Sequence, residues 1–336
     1  MTRYRTFDRS RLRLLPLAQR RHDMTADDCL PLAEPAEPFE HPEWHDLIDR
    51  LGAARQAGRP IVLMTGAHPI KLGLAPFIND LIARGWITHV ATNGAGVIHD
   101  FELAYFRGST ESVARYIREG QFGLWQETSR LNDLARSAAA AGDGLGETVG
   151  RTIVEESPPG HHLSVAAAAY RAGVPLTCHV GIGNDIVHEH PNCDGGAWGA
   201  ASYTDFLIFA ATIERLEGGA FLNVGTAVMG PEVYLKALAM SRNVAHQRGG
   251  EIRRFTTAVF DLADLPPDWR RGTPGKDHPQ YYYRPWKTIL ERTVADGGTS
   301  FFFRGDHRRT IPTLWRDLVR RESSFTASPE SASESP

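Results

Sequence analysis

Lysine is nearly missing from this 336-residue chain. Of its 37 basic residues only Lys71, Lys236, Lys276 and Lys287 are not arginine. A general preference for arginine leaves those four to be explained singly, because lysine shifts its pKa readily and serves as nucleophile or proton carrier. Cysteine is scarce too. Cys29, Cys178 and Cys193, irregularly spaced, exclude a disulfide framework and fit a reducing cytoplasm. No run of eighteen apolar residues occurs, which excludes an ordinary membrane-spanning helix. The opening "MTRYRTFDRSRLRLLPLAQRR" is basic but lacks the apolar stretch of a secretory signal. With a formal charge of −3 there is no basic excess of the kind nucleic-acid binders carry. Neither H-E-x-x-H nor C-x-x-C is present.

What is there alternates. Residues 1–58 form an Arg- and Pro-rich arm that ends in a helix at about 42–57. Residues 59–321 read as one α/β domain, and the Ser-, Glu- and Pro-rich stretch 322–336 as a disordered tail. "PIVLMTG" (60–66) is a short apolar run stopping at glycine, as a buried strand does. "KLGLAPFINDLIARG" then sets Leu74, Phe77, Ile78, Leu81 and Ile82 on one helical face. "WITHVATNG", "VPLTCHVG", "AFLNVG", "RRFTTAVFD" and "SFFFRG" are further strands, separated by helical patterns. Such alternation implies an α/β fold with a mostly parallel sheet covered on both faces.

The polar and glycine-rich segments fall just after the strands: "TGAHPIK", "TNGAGVIHDFE", "HVGIGNDIVHEHP", "NVGTAVMGPE", "TTAVFD" and "RGDHRR". Ligands of open α/β sheets bind beyond the carboxyl ends of the strands, so this rim is the expected active site. "NGAGVIHD" has the glycine spacing that lets a pyrophosphate approach a helix N-terminus, but His99 stands where the third glycine belongs. "CHVGIGNDIVHEHPNCDGG" (178–196) packs His179, Asp185, His188, Glu189 and His190 into one loop. "YYYRPWKTI" (281–289) offers an aromatic lid or a box for a cation, with Lys287 able to form a Schiff base if burial lowers its pKa.

These segments, in this order, resemble the deoxyhypusine synthase family, above all its bacterial and archaeal branch. The resemblance is carried by "MTGAHPIKLGLAPFINDLIARG", "THVATNGAGVIHDFELA", "FGLWQETSRLN", "GLGE", "VPLTCHVGIGNDIVHEHP", "LNVGTAVMGPEVYLKALAMSRN" and "FTTAVFD". It implies a Rossmann-like, doubly wound NAD-binding fold and a homotetramer with active sites shared between subunits. It also implies oxidation of a polyamine-like amine, with passage of an aminobutyl group through an enzyme-lysine imine. NAD would meet Thr65 and Gly66, Thr92, Asn93 and Gly94, Gly225, Thr257, Ala258 and Asp306. Asp185 would anchor the amine, and Trp286 with Lys287 would stand for the family's Trp-Gly-Lys. Departures are His99 in place of an acidic residue, the missing glycine before Lys287, and Glu232-Val233-Tyr234 where a histidine is expected. The protein acceptor is unknown.

Two chemical readings stay open on the residues themselves. In one, Asp185, Glu189 and Glu232 hold ammonium groups, His99 or His188 moves protons, and NAD takes hydride from the carbon bearing nitrogen. In the other, His179, Asp185, His188 and His190 bind a metal ion for hydrolysis, with Glu189 as general base. A ligand-binding scaffold that has lost its chemistry is the non-enzymatic alternative.

Overall fold

The computed structural model describes residues 2–326. Six parallel strands make the main sheet: β1 (Ile61–Thr65), β2 (His89–Asn93), β3 (Leu176–His179), β4 (Ala220–Val224), β5 (Thr256–Asp261) and β6 (Thr299–Arg304). Their order across the sheet is 3-2-1-4-5-6, every neighbouring pair parallel. The chain therefore winds outward from β1 in one direction, returns, and winds outward from β4 in the other. Such an order leaves a crevice between β1 and β4 at the carboxyl rim, where dinucleotides bind in sheets of this kind.

Each strand buries both faces in alternation. Ile61 and Leu63 face one core, with Leu222, Phe260 and Phe303. Val62 and Met64 face the other, with Phe221, Val259 and Phe302. This period-2 division is why the strands read as continuous apolar runs. The first core is closed by α1 (Trp44–Gln56), α2 (Ala75–Ala83), α3 (Gly94–Phe106) and, farther on, the closing helix. A short α4 (Val113–Glu119) follows α3, then α5 (Arg130–Ala141), α6 (Leu145–Glu156) and α7 (Val165–Arg171). On the second face lie α8 (Gly195–Ile213), α9 (Met229–Gln247) and a π-helical turn, Trp286–Arg292. The closing helix, α10 (His307–Thr326), carries on past the expected start of the tail at Glu322; residues 327–336 lie outside the described residues. No described helix is long and apolar enough to cross a membrane.

Helix α6, "LGETVGRTIVEE", carries two glycines. Both have a packing reason. A Cβ at Gly146 would lie 1.9 Å from the Leu176 carbonyl oxygen, and one at Gly150 would lie 2.5 Å from that of Ala166. Glycine here lets α6 press against the backbones of β3 and α7, which outweighs its poor helix propensity.

The N-terminal arm is bound to the body of its own chain. Met24–Thr25 pairs antiparallel with Gly108–Ser109, Leu15 bridges to Trp125, and the Leu17 N–H donates to Glu127 at 2.7 Å. Its deepest contact is Arg20, whose two terminal nitrogens donate to the two Glu102 oxygens at 2.8 and 2.7 Å. Both side chains are only 1% exposed.

Candidate active site

Asn93 closes β2 and caps α3, its side chain accepting the Gly96 N–H at 2.9 Å. One turn further on, Ile98 and His99 form a wall of a cavity of about 220 Å³. Lys71, at the end of the helical turn after β1, forms a second wall, and Asn184, Asp185 and Ile186, from the loop after β3, a third. Arg20, Glu102, Thr110 and Glu111 complete the polar lining. Three adjacent strand ends thus converge here, as the rim predicted from sequence requires.

Asp185 sits over the N-terminus of α3 and accepts the Ala95 N–H; burial nevertheless pushes its carboxyl up to about 6. His99 is pushed down to about 4 by burial, against the upward pull of Glu102. An acid and a base thus have their pKa values moved in opposite directions in one cavity, an arrangement that accompanies acid–base work. Burial also raises Glu111, whose oxygens accept from the Gly123 N–H and Trp125 Nε1, both at 2.9 Å. Glu189 lies beside Glu111, which with burial raises it, but it is absent from the cavity wall.

Behind the cavity runs a chain of hydrogen bonds. Glu102 accepts from Arg20, from Thr128 Oγ1 at 2.8 Å and from Ser109 Oγ at 2.7 Å. Ser109 Oγ in turn lies 2.6 Å from His99 Nδ1. Burial alone would raise Glu102, yet Arg20 and the other donors hold it below the usual carboxylate range.

The cavity and the crevice at the point of strand reversal border one helical turn, His68–Lys71: Lys71 lines the cavity, and a Cβ on Gly225 would lie 3.7 Å from His68 Cβ. Gly66 donates its N–H to the Val224 carbonyl at 3.3 Å, and a Cβ there would lie 2.6 Å from the Gly225 oxygen. Gly225 is left-handed (φ 61°), and a Cβ on it would lie 2.9 Å from His307 Nε2. His307 is buried, and its Nδ1 has no hydrogen-bond partner among the described residues. His68 links the two regions electrostatically, acting on His99 from one side and His307 from the other. Gly225 likewise spends its N–H on the Phe260 carbonyl at 3.2 Å, so the group this crevice leaves for a dinucleotide is the buried imidazole nitrogen of His307. NAD in this crevice would border Gly66 and Gly225 and meet His307, with Asp306 just before it capping α10 through the Arg308 N–H at 2.8 Å.

Several sequence expectations need correction. The α3 glycines do not make room for a pyrophosphate: a Cβ at Gly94 would lie 2.1 Å from Asp185 Oδ2, and one at Gly96 2.1 Å from Thr92 Oγ1. A carboxylate already occupies that helix N-terminus, so Thr92, Asn93 and Gly94 shape the Asp185 side of the cavity. Thr65, buried at the end of β1, donates its hydroxyl to the Gly66 carbonyl at 3.0 Å. Thr257 and Ala258 are fully buried near the start of β5, Thr257 donating to the Ile289 carbonyl at 2.9 Å; neither reaches the rim. His188 stands one layer back. Its Nδ1 accepts the Gly183 and Asp185 N–H groups at 3.2 Å, and its ring meets Trp198 edge-on, so it shapes the Asp185 loop.

Lys287 lies on the far side of the sheet. It is buried in the π-helical turn with Nζ 3.4 Å from the centre of the Tyr281 ring, packed near β5, which three strands separate from β3. Its neighbour Trp286 is core, donating Nε1 to the Trp269 carbonyl at 3.0 Å. Glu232 is taken up by Arg284 and Lys236 of its own chain. The metal grouping also fails. His179 is buried with Phe209 and bonded to Thr177, whereas His190 Nε2 donates to the Gly123 carbonyl at 2.7 Å. Among the described residues no three His, Cys, Asp or Glu side chains gather to hold a metal ion.

The residues missed from sequence are Arg20, Glu102, Ser109 and Glu111. Lys71 had a signal, the rarity of lysine. Ser109 and Glu111 had none, because a two-residue ribbon to the arm brings their loop to the cavity.

No family model matches the chain, and no curated protein matches it. Among solved structures it is similar to ArgZ, an arginine dihydrolase from the ornithine–ammonia cycle in cyanobacteria, at 13% identity and TM-score 0.48. The match covers 82% of this chain and 32% of that one, so the chain spans about a third of that protein's length. A protein of Methanococcus maripaludis S2 described as LOR/SDH matches at 12% identity and TM-score 0.48, over 87% of this chain and 74% of its own. One of Entamoeba histolytica described as a deoxyhypusine synthase matches at 9% and 0.36, over 78% and 75%. At such scores the likeness does not extend to chemistry, which has to be read from the site itself.

Proposed function

We propose that this protein is an NAD-dependent enzyme that oxidises a small cationic amine at the carbon bearing nitrogen. The observation that carries this is the adjacency of two features. A cavity holding Asp185 and His99 opens beside the crevice where the 3-2-1-4-5-6 sheet reverses. Asp185 takes the ammonium group, since a cation removed from water needs a carboxylate partner. His99 accepts the proton that leaves nitrogen as the C–H bond breaks. When bound, NAD supplies the hydride acceptor. Lys71, exposed at the cavity wall, guards it against a second cation, and the volume of about 220 Å³ suits a small substrate.

NAD should raise the melting temperature of the protein, because a ligand that binds only the folded state stabilises it in proportion to its saturation. At a hundred times Kd the gain is about 2.7 kcal/mol. No rise up to millimolar NAD would sink the proposal.

Transfer through a lysine imine is a finer question. Within one chain Lys287 is absent from the cavity wall, so the imine would be left to water and the reaction would end as oxidation. In a homotetramer with shared sites, the arrangement the family resemblance implies, Lys287 of another copy would have to enter the cavity. Lys287→Met decides: NADH formation should be unchanged, and a collapse of turnover in a folded variant would restore transfer.

A further inference from the structure

Glu102 is fully buried and has no proton of its own to give. Its two oxygens receive four donors: both terminal nitrogens of Arg20, Thr128 Oγ1 and Ser109 Oγ. Ser109 is completely buried and has a single hydroxyl hydrogen, which the Glu102 contact uses. Toward His99 it can therefore only accept, and at 2.6 Å the imidazole must be the donor. We infer that Arg20, Glu102 and Ser109 form a relay that fixes His99 in the Nδ1–H tautomer and leaves Nε2 as its proton-accepting atom. This rests on the cavity being the amine site. These three are positioning residues: they act through His99, as the outer partner of a histidine does wherever the tautomer matters.

The surroundings of the relay support a device that is held in place. His99 Nε2 has no partner among the described residues, and the residue lines the cavity. Ser109 sits in a two-residue ribbon paired with Met24 of the N-terminal arm. That ribbon is flanked by Arg107 at φ 54° and Thr110 at φ 63°, both in a left-handed conformation that residues with a side chain rarely adopt. Left-handed residues of this kind persist where surrounding contacts over-determine them. The arm thus grips both ends of the relay, Glu102 through Arg20 and Ser109 through Met24.

The test is nitrogen NMR of protein labelled at its histidine ring nitrogens, recorded at neutral pH without NAD or amine. His99 is assigned by the signals lost in His99→Gln. In the native protein its Nδ1 should be of the protonated type and its Nε2 of the lone-pair type. In Ser109→Ala that pattern should be lost in favour of mixed tautomers, while the other thirteen of the fourteen histidines keep theirs, which controls for folding. An Nε2–H tautomer in the native protein overturns the inference, and so does a His99 spectrum unchanged by Ser109→Ala. Because neither ligand is present, a failure here is distinct from a failure of NAD or the amine to bind.

Discussion

Asp185→Asn should weaken amine binding by roughly 30-fold or more and at the same time make the protein more stable. The carboxyl is nearly enclosed, with its side chain 8% exposed, and burial holds its pKa at about 6. Asparagine has the same shape, so it fits against the bare Cα of Gly94 and can still accept the Ala95 N–H. What it lacks is the charge. Loss of one partner of a desolvated ion pair costs about 2–5 kcal/mol, roughly 30-fold or more in Kd. The sign for stability is opposite. A carboxyl whose folded pKa lies above its unfolded value binds its proton more tightly when folded, so its ionisation destabilises the protein as pH rises through about 6. Removing the ionisable group at pH 7 should therefore recover stability, on the order of 1–3 kcal/mol. Gain of stability with loss of function marks a residue kept for chemistry.

The same group sets a pH dependence. Affinity for the amine should rise as pH increases through about 6 and then level off, since Asp185 becomes ionised while an ordinary primary amine stays protonated to about pH 10. Calorimetric titration of a small monoamine from pH 5 to pH 8 would show it. In Asp185→Asn the profile should be flat and weak. A flat profile in the native protein would remove Asp185 from the role of anchor.

The strands were legible in the sequence because both sheet faces are buried, so that each strand is a run of apolar residues ending in glycine or a polar group. The rim was legible for the same reason. Which strand ends are neighbours was not, since the order 3-2-1-4-5-6 is a tertiary fact. That is why Lys287, Trp286 and Glu232, all beyond β4, were grouped with Asp185 although they belong to the other half of the sheet. Position along a strand was also hidden. Thr257 and Ala258 come at the start of "TTAVFD", and only Asp261 at its end reaches the rim, where it accepts from Tyr283 at 2.7 Å. The glycines of "NGAGVIHD" were seen, but not what fills the space they leave. Spacing predicts room for a ligand, whereas here the room is taken by Asp185 itself. The arm reads as an extended decoration because Arg20 is one arginine among many, and nothing local marks it as the one that meets Glu102.

Arg20→Met should cost far more stability than any other arginine substitution in the chain. An exposed ion pair contributes about 0–1 kcal/mol, which is what a loosely attached arm would show. A buried pair broken on one side leaves an uncompensated charge and costs about 3–5 kcal/mol. Glu102→Gln should cost a similar amount, softened by the Thr128 and Ser109 hydroxyls that remain to it. The double variant Arg20→Met/Glu102→Gln should lose less than the sum of the two, because each single change already removes the shared interaction. Acid adds a second signature. Glu102 is held below its ordinary range, so its contribution is complete above its unfolded pKa and is lost as pH falls through the lowered folded value. Native protein should therefore lose stability below about pH 4.5 through this group, and Arg20→Met should lose less over the same interval, having little left to give up. Urea unfolding of the four proteins at pH 7 and pH 4 measures both effects. Additive losses, or a native acid response retained in Arg20→Met, would mean that the arm lies on the cavity without holding it.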